Sequence, residues 1–168
     1  MKESGFTYLL LLFFVAILGV GLAVAGEAWH VSVQREKEEQ LLFAGDAYRQ
    51  AIELYYETSP GGVKQYPLKL DDLLRDPRFP NVRRYLRELY PDPITGKFDW
   101  ELVMAPQGGI MGIYSPSKQA PMKRSGFDDL DAAFGDLAKQ KKDKLTYRDW
   151  KFVYDPALAL GRLSHGLF

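Results

Sequence analysis

The chain has 168 residues, and its 22 lysines and arginines are balanced by 22 aspartates and glutamates. That balance gives no support to a nucleic-acid partner, which calls for a basic surplus. The absence of cysteine excludes disulfides, thiolate metal sites and a cysteine nucleophile together.

Residues 1–5, Met-Lys-Glu-Ser-Gly, are too few to fold. Residues 6–26 carry no charge, and about 21 residues at about 1.5 Å rise cover roughly the 30 Å hydrocarbon core of a bilayer. Three readings fit this segment. It can be a signal anchor, a cleavable secretory signal with Ala23-Val24-Ala25 before Gly26, or a leader cut after Gly5 that leaves the apolar helix on the mature protein. Charge orients the segment with Lys2 inside, because the residues after the span hold Arg35 and Lys37 against Glu27, Glu36, Glu38 and Glu39.

The helical pattern does not stop where the membrane would. No proline occurs before Pro60, and Leu41, Ala44, Tyr48, Ala51, Ile52 and Tyr55 recur at steps of three and four residues, which places them on one apolar stripe. Arg35, Lys37, Glu39, Asp46, Arg49 and Glu53 read as the solvated face, with Arg49 and Glu53 as an i,i+4 pair. One helix over about 6–56 is expected, apolar and membrane-spanning in its first half and amphipathic in its second.

Ser59-Pro60-Gly61-Gly62 ends that helix, since a Pro-Gly cluster continues neither period. Short helices are expected at 68–75 and at 81–90, the second with Asn81 as N-cap and with Val82, Tyr85, Leu86 and Leu89 on one face. Strands are expected at 99–104, 110–115 and 150–154, the first two forming a hairpin across the glycine-bearing loop 105–109. A small antiparallel sheet would give the amphipathic stripe a surface to bury against. The segment 117–147 is charged throughout. Its basic run, Lys139 to Lys144, reads as solvated surface.

Catalysis has little to stand on. The two histidines, His30 and His165, lie beside the apolar run and near the C-terminus, and neither is placed as a triad base. His30 reads with Trp29 as a membrane-interface residue. No phosphate-binding glycine loop or HExxH motif occurs, so no enzyme is expected.

Gly5-Phe6-Thr7-Tyr8, followed by an apolar helix that continues as an amphipathic one, resembles the opening of the type IV pilin and type II secretion pseudopilin superfamily. Its members begin Gly-Phe-Thr-Leu. The order of parts downstream is also similar: Tyr66-Pro67 precedes Leu70-Asp71-Asp72-Leu73-Leu74, and Tyr90-Pro91-Asp92-Pro93-Ile94-Thr95-Gly96 precedes an alternating stretch. The lack of cysteine favours the pseudopilin side, because many type IV pilins carry a C-terminal disulfide loop.

The resemblance implies an α+β, pilin-like fold in which the long N-terminal helix packs on a small antiparallel sheet. Residues 1–5 would be a prepilin leader, 6–26 the transmembrane part, 27–58 the amphipathic stalk and 59–168 a periplasmic globular domain. It implies cleavage by prepilin peptidase between Gly5 and Phe6, methylation of Phe6, and a bacterial inner-membrane location with the N-terminus cytoplasmic. The implied partners are other pilin-like subunits and the inner-membrane assembly platform, and Gly19, Gly21 and Gly26 would allow close packing of helices.

Members usually carry a glutamate at the fifth position after the cut, where this chain has Leu10. A buried carboxylate at that depth costs about 2.5–3.5 kcal/mol and persists only with a partner. Leu10 offers none, which is similar to certain minor, tip-located pseudopilins. Major pseudopilins also hold calcium in the loop after the sheet, so Asp128, Asp129, Asp131 and Asp136 are candidate oxygen ligands. Their spacing is not that of an EF-hand, and 128–134 reads equally as a helical turn with an acidic face. Apart from calcium no cofactor is implied. A different class of function remains open: a membrane-anchored or secreted periplasmic binding domain that uses the helix only as anchor or signal.

Overall fold

A computed structural model describes residues 4–157, except the side chains at 4, at 19–28 and at 143. It is α+β. Helix α1 runs Ser4–Glu57, unbroken because its stretch holds neither proline nor a paired-glycine break. The chain divides into two compact units between Glu36 and Lys37.

In the first unit the apolar side chains from Phe6 to Leu18 are exposed around the helix. Among the described residues no helix is long and apolar enough to cross a membrane. The later part of the expected span lies outside the described side chains, as do leader residues 1–3.

In the second unit the stripe is buried at every expected position: Leu41, Ala44, Tyr48, Ala51, Ile52 and Tyr55. It joins a core with Ile110, Ile113, Trp150 and Phe152. Burying a side chain such as Leu41 or Ile52 contributes about 1.5–3 kcal/mol, enough for tertiary packing rather than helix propensity to hold this half.

The sheet has three antiparallel strands in the order β1 (Glu101–Met104), β2 (Ile110–Tyr114) and β3 (Lys151–Val153). Glu101 pairs with Tyr114 and Leu102 with Ile113, and the register shifts between Val103 and Met104. The 105–109 loop closes the hairpin: Ala105 N donates to Gly109 O at 2.9 Å. Gly108 and Gly109 take φ of 93° and 87°, a region that favours glycine. Across the sheet, Gly112 pairs with Val153 and Ile113 with Phe152.

Helix and sheet approach closely because two residues match. A Cβ at Gly45 would lie 2.3 Å from Cδ1 of Phe152, so only glycine lets α1 rest on that ring. Edge-on aromatic pairs extend the contact, with Tyr48 against Trp100 at 5.8 Å and Tyr56 against Tyr154 at 5.8 Å between centroids.

Several expectations are corrected. The helix expected over 68–75 is a single 3-10 turn, Leu70–Leu73. No helix forms over 81–90, because the backbone there bonds outward: Tyr85 N and Leu86 N both donate to Leu73 O, and Tyr90 N to the Tyr48 hydroxyl. Of its supposed face, Leu86 is buried while Val82 is exposed. On β1, Leu102 and Met104 are exposed. Arg49 does not belong to the solvated face; it is buried and pairs with Asp46 and Asp131, not Glu53. The segment 117–147 contains a second helix, α2 (Ala132–Lys141), behind a 3-10 turn at Asp129–Asp131.

Candidate processing and assembly site

Gly5 and Phe6 stand in the first turn of α1, whose leading N–H groups have no acceptor within the helix. No acidic residue lies in that turn to offset them. A Cβ built at Gly5 meets nothing within 4 Å. Packing among the described residues therefore does not require a glycine there. Phe6 is 73% exposed, and Leu10 lines a shallow apolar hollow with Thr7, Tyr8, Leu11 and Phe14. Gly19 and Gly21 fall within α1, but their surroundings, like those of Gly26, lie outside the described residues.

A helix apolar on all sides calls for burial, whether in the core of a large protein or in a membrane. The second half of α1, by contrast, is locked into its own unit by polar groups that periodicity gave no means of finding. Glu38, 2% exposed, accepts from Met122 N at 2.5 Å, Lys123 N at 3.0 Å and the Tyr147 hydroxyl at 2.7 Å. It ties the helix to two distant segments.

About three turns further along, Arg49 donates to Asp46 and to Leu130 O at 3.2 Å and lies 3.0 Å from the Asp131 carboxylate. Burial raises the Asp131 carboxyl; Arg49 offsets part of that, and Asp46 and Asp128 add to the rise. At the far end Arg78 caps the helix. Its Nη2 donates to Tyr55 O at 2.8 Å, its Nη1 to Ser59 Oγ at 2.7 Å, and its guanidinium carbon sits 3.5 Å from the Tyr55 ring centroid. A cation at a helix C-terminus complements the macrodipole. Arg78 also binds Asp76 at 2.7 Å. Burial alone would raise that carboxyl, but hydrogen bonds from Arg78 and Tyr85 outweigh it and hold it below its ordinary value.

The Tyr90–Pro91–Asp92–Pro93 stretch is anchored to the same helix. The Tyr48 hydroxyl donates to Tyr90 O at 3.1 Å and accepts from Tyr90 N at 3.0 Å, and burial pushes it up to about 12. Trp100 Nε1 donates to Tyr90 O at 2.8 Å. Asp92 is fully buried and accepts from Ser115 Oγ at 2.6 Å and Ile94 N at 2.9 Å. Turn residues with no stripe of their own thus become the brace between α1 and the sheet.

A groove of about 560 Å³ opens in the second unit beside Tyr55, Lys64, Tyr66, Leu68, Arg78 and Gln107. Its charges are already engaged: Lys64 with Glu57 at 2.5 Å, Arg78 with Asp76, and Asp72 with the N–H groups of Leu68 and Lys69. Among the described residues no three acidic or histidine side chains stand close enough to hold a metal ion. The loop aspartates are dispersed instead, Asp131 inward on Arg49 and Asp136 outward on Lys139 at 3.0 Å. Trp29 and His30 are both exposed on α1, and His165 lies outside the described residues.

Compared with models of known protein families, with curated proteins and with solved structures, the chain matches none.

Proposed function

We propose that the chain is a pilin-like structural subunit, a pseudopilin of a type II secretion or type IV pilus-type filament, that contributes to protein secretion or pilus assembly. The observation that carries this reading is α1 itself. It is one helix from Ser4 to Glu57, with the Gly5-Phe6 junction in its first turn, apolar side chains exposed around it as far as Leu18, and a buried stripe fastening its second half to a small antiparallel sheet. A secretory signal that is cut off has no reason to continue as the central helix of the folded domain.

On this reading a prepilin peptidase cuts after Gly5 and leaves Phe6 as the methylated N-terminus. The apolar half then moves from hydrocarbon into a bundle of like helices, exchanging one apolar surrounding for another at little cost. The second unit stays in the periplasm and meets its neighbours. Leu10, exposed and uncharged, brings no carboxylate to that bundle, which points to a minor position.

The test is the mass of the mature N-terminus of protein taken from its native membrane. A chain starting at Phe6 and heavier by one methyl group supports the reading. A chain starting at Gly26 refutes it in favour of an exported binding domain, and an intact Met1 refutes it in favour of a plain anchor.

A further inference from the structure

The formal charges of the chain cancel, but they are not mixed evenly over the second unit. Segment 73–86 folds back on itself: Asp76 N donates to Arg83 O at 3.1 Å and Tyr85 N to Leu73 O at 2.9 Å. Those two bonds bring Arg75 opposite Arg84. Arg75, Arg83, Arg84 and Arg87 are all exposed, and among the described residues none of them forms an ion pair. Arg83 lies over the Phe79 ring at 4.0 Å, and Val82, between the arginines, is 61% exposed. Like charges gathered around an apolar centre are unfavourable in the isolated chain, and an acidic surface would relieve them.

The same unit carries such a surface elsewhere. Asp128 and Asp129 are exposed and form no ion pair among the described residues. Leu130 beside them is 44% exposed, while Asp131 turns inward onto Arg49, which Asp46 already shares. Lys123, with its Nζ 5.1 Å from the Phe127 ring, and the exposed Arg124 are cations at the start of this edge. The two patches are complementary: guanidinium groups around Val82 on one, carboxylates around Leu130 on the other.

We propose that the basic lobe at 75–87 of one copy docks on the acidic edge at 127–130 of a second copy, with Val82 against Leu130. The two surfaces differ, so the contact is head-to-tail and leaves one of each free at the ends, which extends a row unless the rotation closes a ring. Bidentate arginine-carboxylate pairing sets its register. The proposal rests on the reading of the chain as a filament subunit, in which at least two copies stand side by side.

The native absence of cysteine makes the test clean. Full-length Val82→Cys and Leu130→Cys chains, carrying different tags, are expressed together in the native membrane and oxidised with copper phenanthroline. The mixed disulfide dimer should exceed either same-site dimer at least tenfold. It should fall about tenfold when Asp128 and Asp129 on the Leu130→Cys chain are both changed to Lys, and recover when Arg84 and Arg87 on the other chain are changed to Glu. Raising salt from about 0.05 to about 0.5 M should weaken the cross-link of the otherwise unaltered pair, because screening shortens from about 14 Å to about 4 Å; this arm needs no charge-reversed variant to fold.

A mixed dimer no more abundant than the same-site dimers, or one indifferent to both charge and salt, overturns the proposal. So does loss of the cross-link together with arginine-dependent binding to phosphatidylglycerol vesicles, which would assign the lobe to an anionic lipid surface. The mature N-terminus measured on the same membranes separates the two readings. A Phe6 start without the cross-link removes only the contact, and the cross-link without a Phe6 start keeps the contact and removes the filament.

Discussion

Glu38→Ala tests how α1 is held to its domain. The carboxylate is 2% exposed and accepts three hydrogen bonds, from Met122 N, Lys123 N and the Tyr147 hydroxyl. A hydrogen bond to a charged acceptor contributes about 1.5–3 kcal/mol. The two backbone donors lie where Met122 is itself exposed, so water replaces much of what they lose and each costs at the low end. The Tyr147 hydroxyl belongs to a fully buried residue and loses a charged acceptor outright. Removing the carboxylate also relieves its own desolvation, so the net loss is about 2–4 kcal/mol.

Glu38→Gln keeps one acceptor oxygen and should cost about half as much. Denaturant unfolding of the full chain in detergent, followed by fluorescence that includes the buried Trp150, measures both. Hydrogen exchange at the 122 and 123 amides should quicken in the Ala variant. A loss below about 0.5 kcal/mol, or a Gln variant as weak as the Ala variant, would refute the reasoning.

Gly45→Ala should destabilise the domain by about 1–3 kcal/mol despite the better helix propensity of alanine, because its methyl would meet the Phe152 ring; a thermal melt that rises instead rules out the close packing of α1 on β3. A Cβ at Gly5 meets nothing within 4 Å among the described residues, so Gly5→Leu should leave unfolding unchanged, while on the proposed function the protein accumulates unprocessed in the membrane, read by the mass of its N-terminus. Arg78→Ala strips the cap from α1 and leaves Asp76 buried without its cation, a loss of about 3–5 kcal/mol in the same unfolding assay. The Asp76 carboxyl is held below its ordinary value; a depressed acid contributes stability above its unfolded value and loses it as pH falls through the folded one. Stability should therefore decline below about pH 4, and Asp76→Asn should flatten that acid limb in melts run against pH.

Local pattern carried far in the elements whose partner is regular. The stripe from Leu41 to Tyr55 is legible because a helix packed on a sheet buries one face at a fixed period, and all six of its members are buried. The hairpin is legible because Gly108 and Gly109 mark a turn that strands on either side must share. The segment 81–90 misleads for the opposite reason. Its spacing suits a helix, but Leu73 O and the Tyr48 hydroxyl take its N–H groups, and both partners are far away in sequence.

Of the proposed processing and assembly positions, Gly5, Phe6 and Leu10 are singled out by type and order alone, and the structure adds that no described residue packs against the glycine. The buried charges lie beyond sequence reasoning. Nothing in a row of Glu and Lys residues distinguishes Glu38, nor Arg49 from the solvated positions around it, until the loop ending at Lys123 and the turn at Asp131 are folded against α1.

By itself the sequence determined the long helix with its apolar and amphipathic halves, the place where Pro60 and the glycines end it, and the three strands, since each follows from composition and period over a few neighbouring residues. Tertiary structure alone decided which charges go inside, how 73–86 doubles back on itself, and where Gly45 brings helix and strand together. Those depend on contacts between residues as much as 109 positions apart, as Glu38 and Tyr147 are, and no local window contains both ends of such a contact.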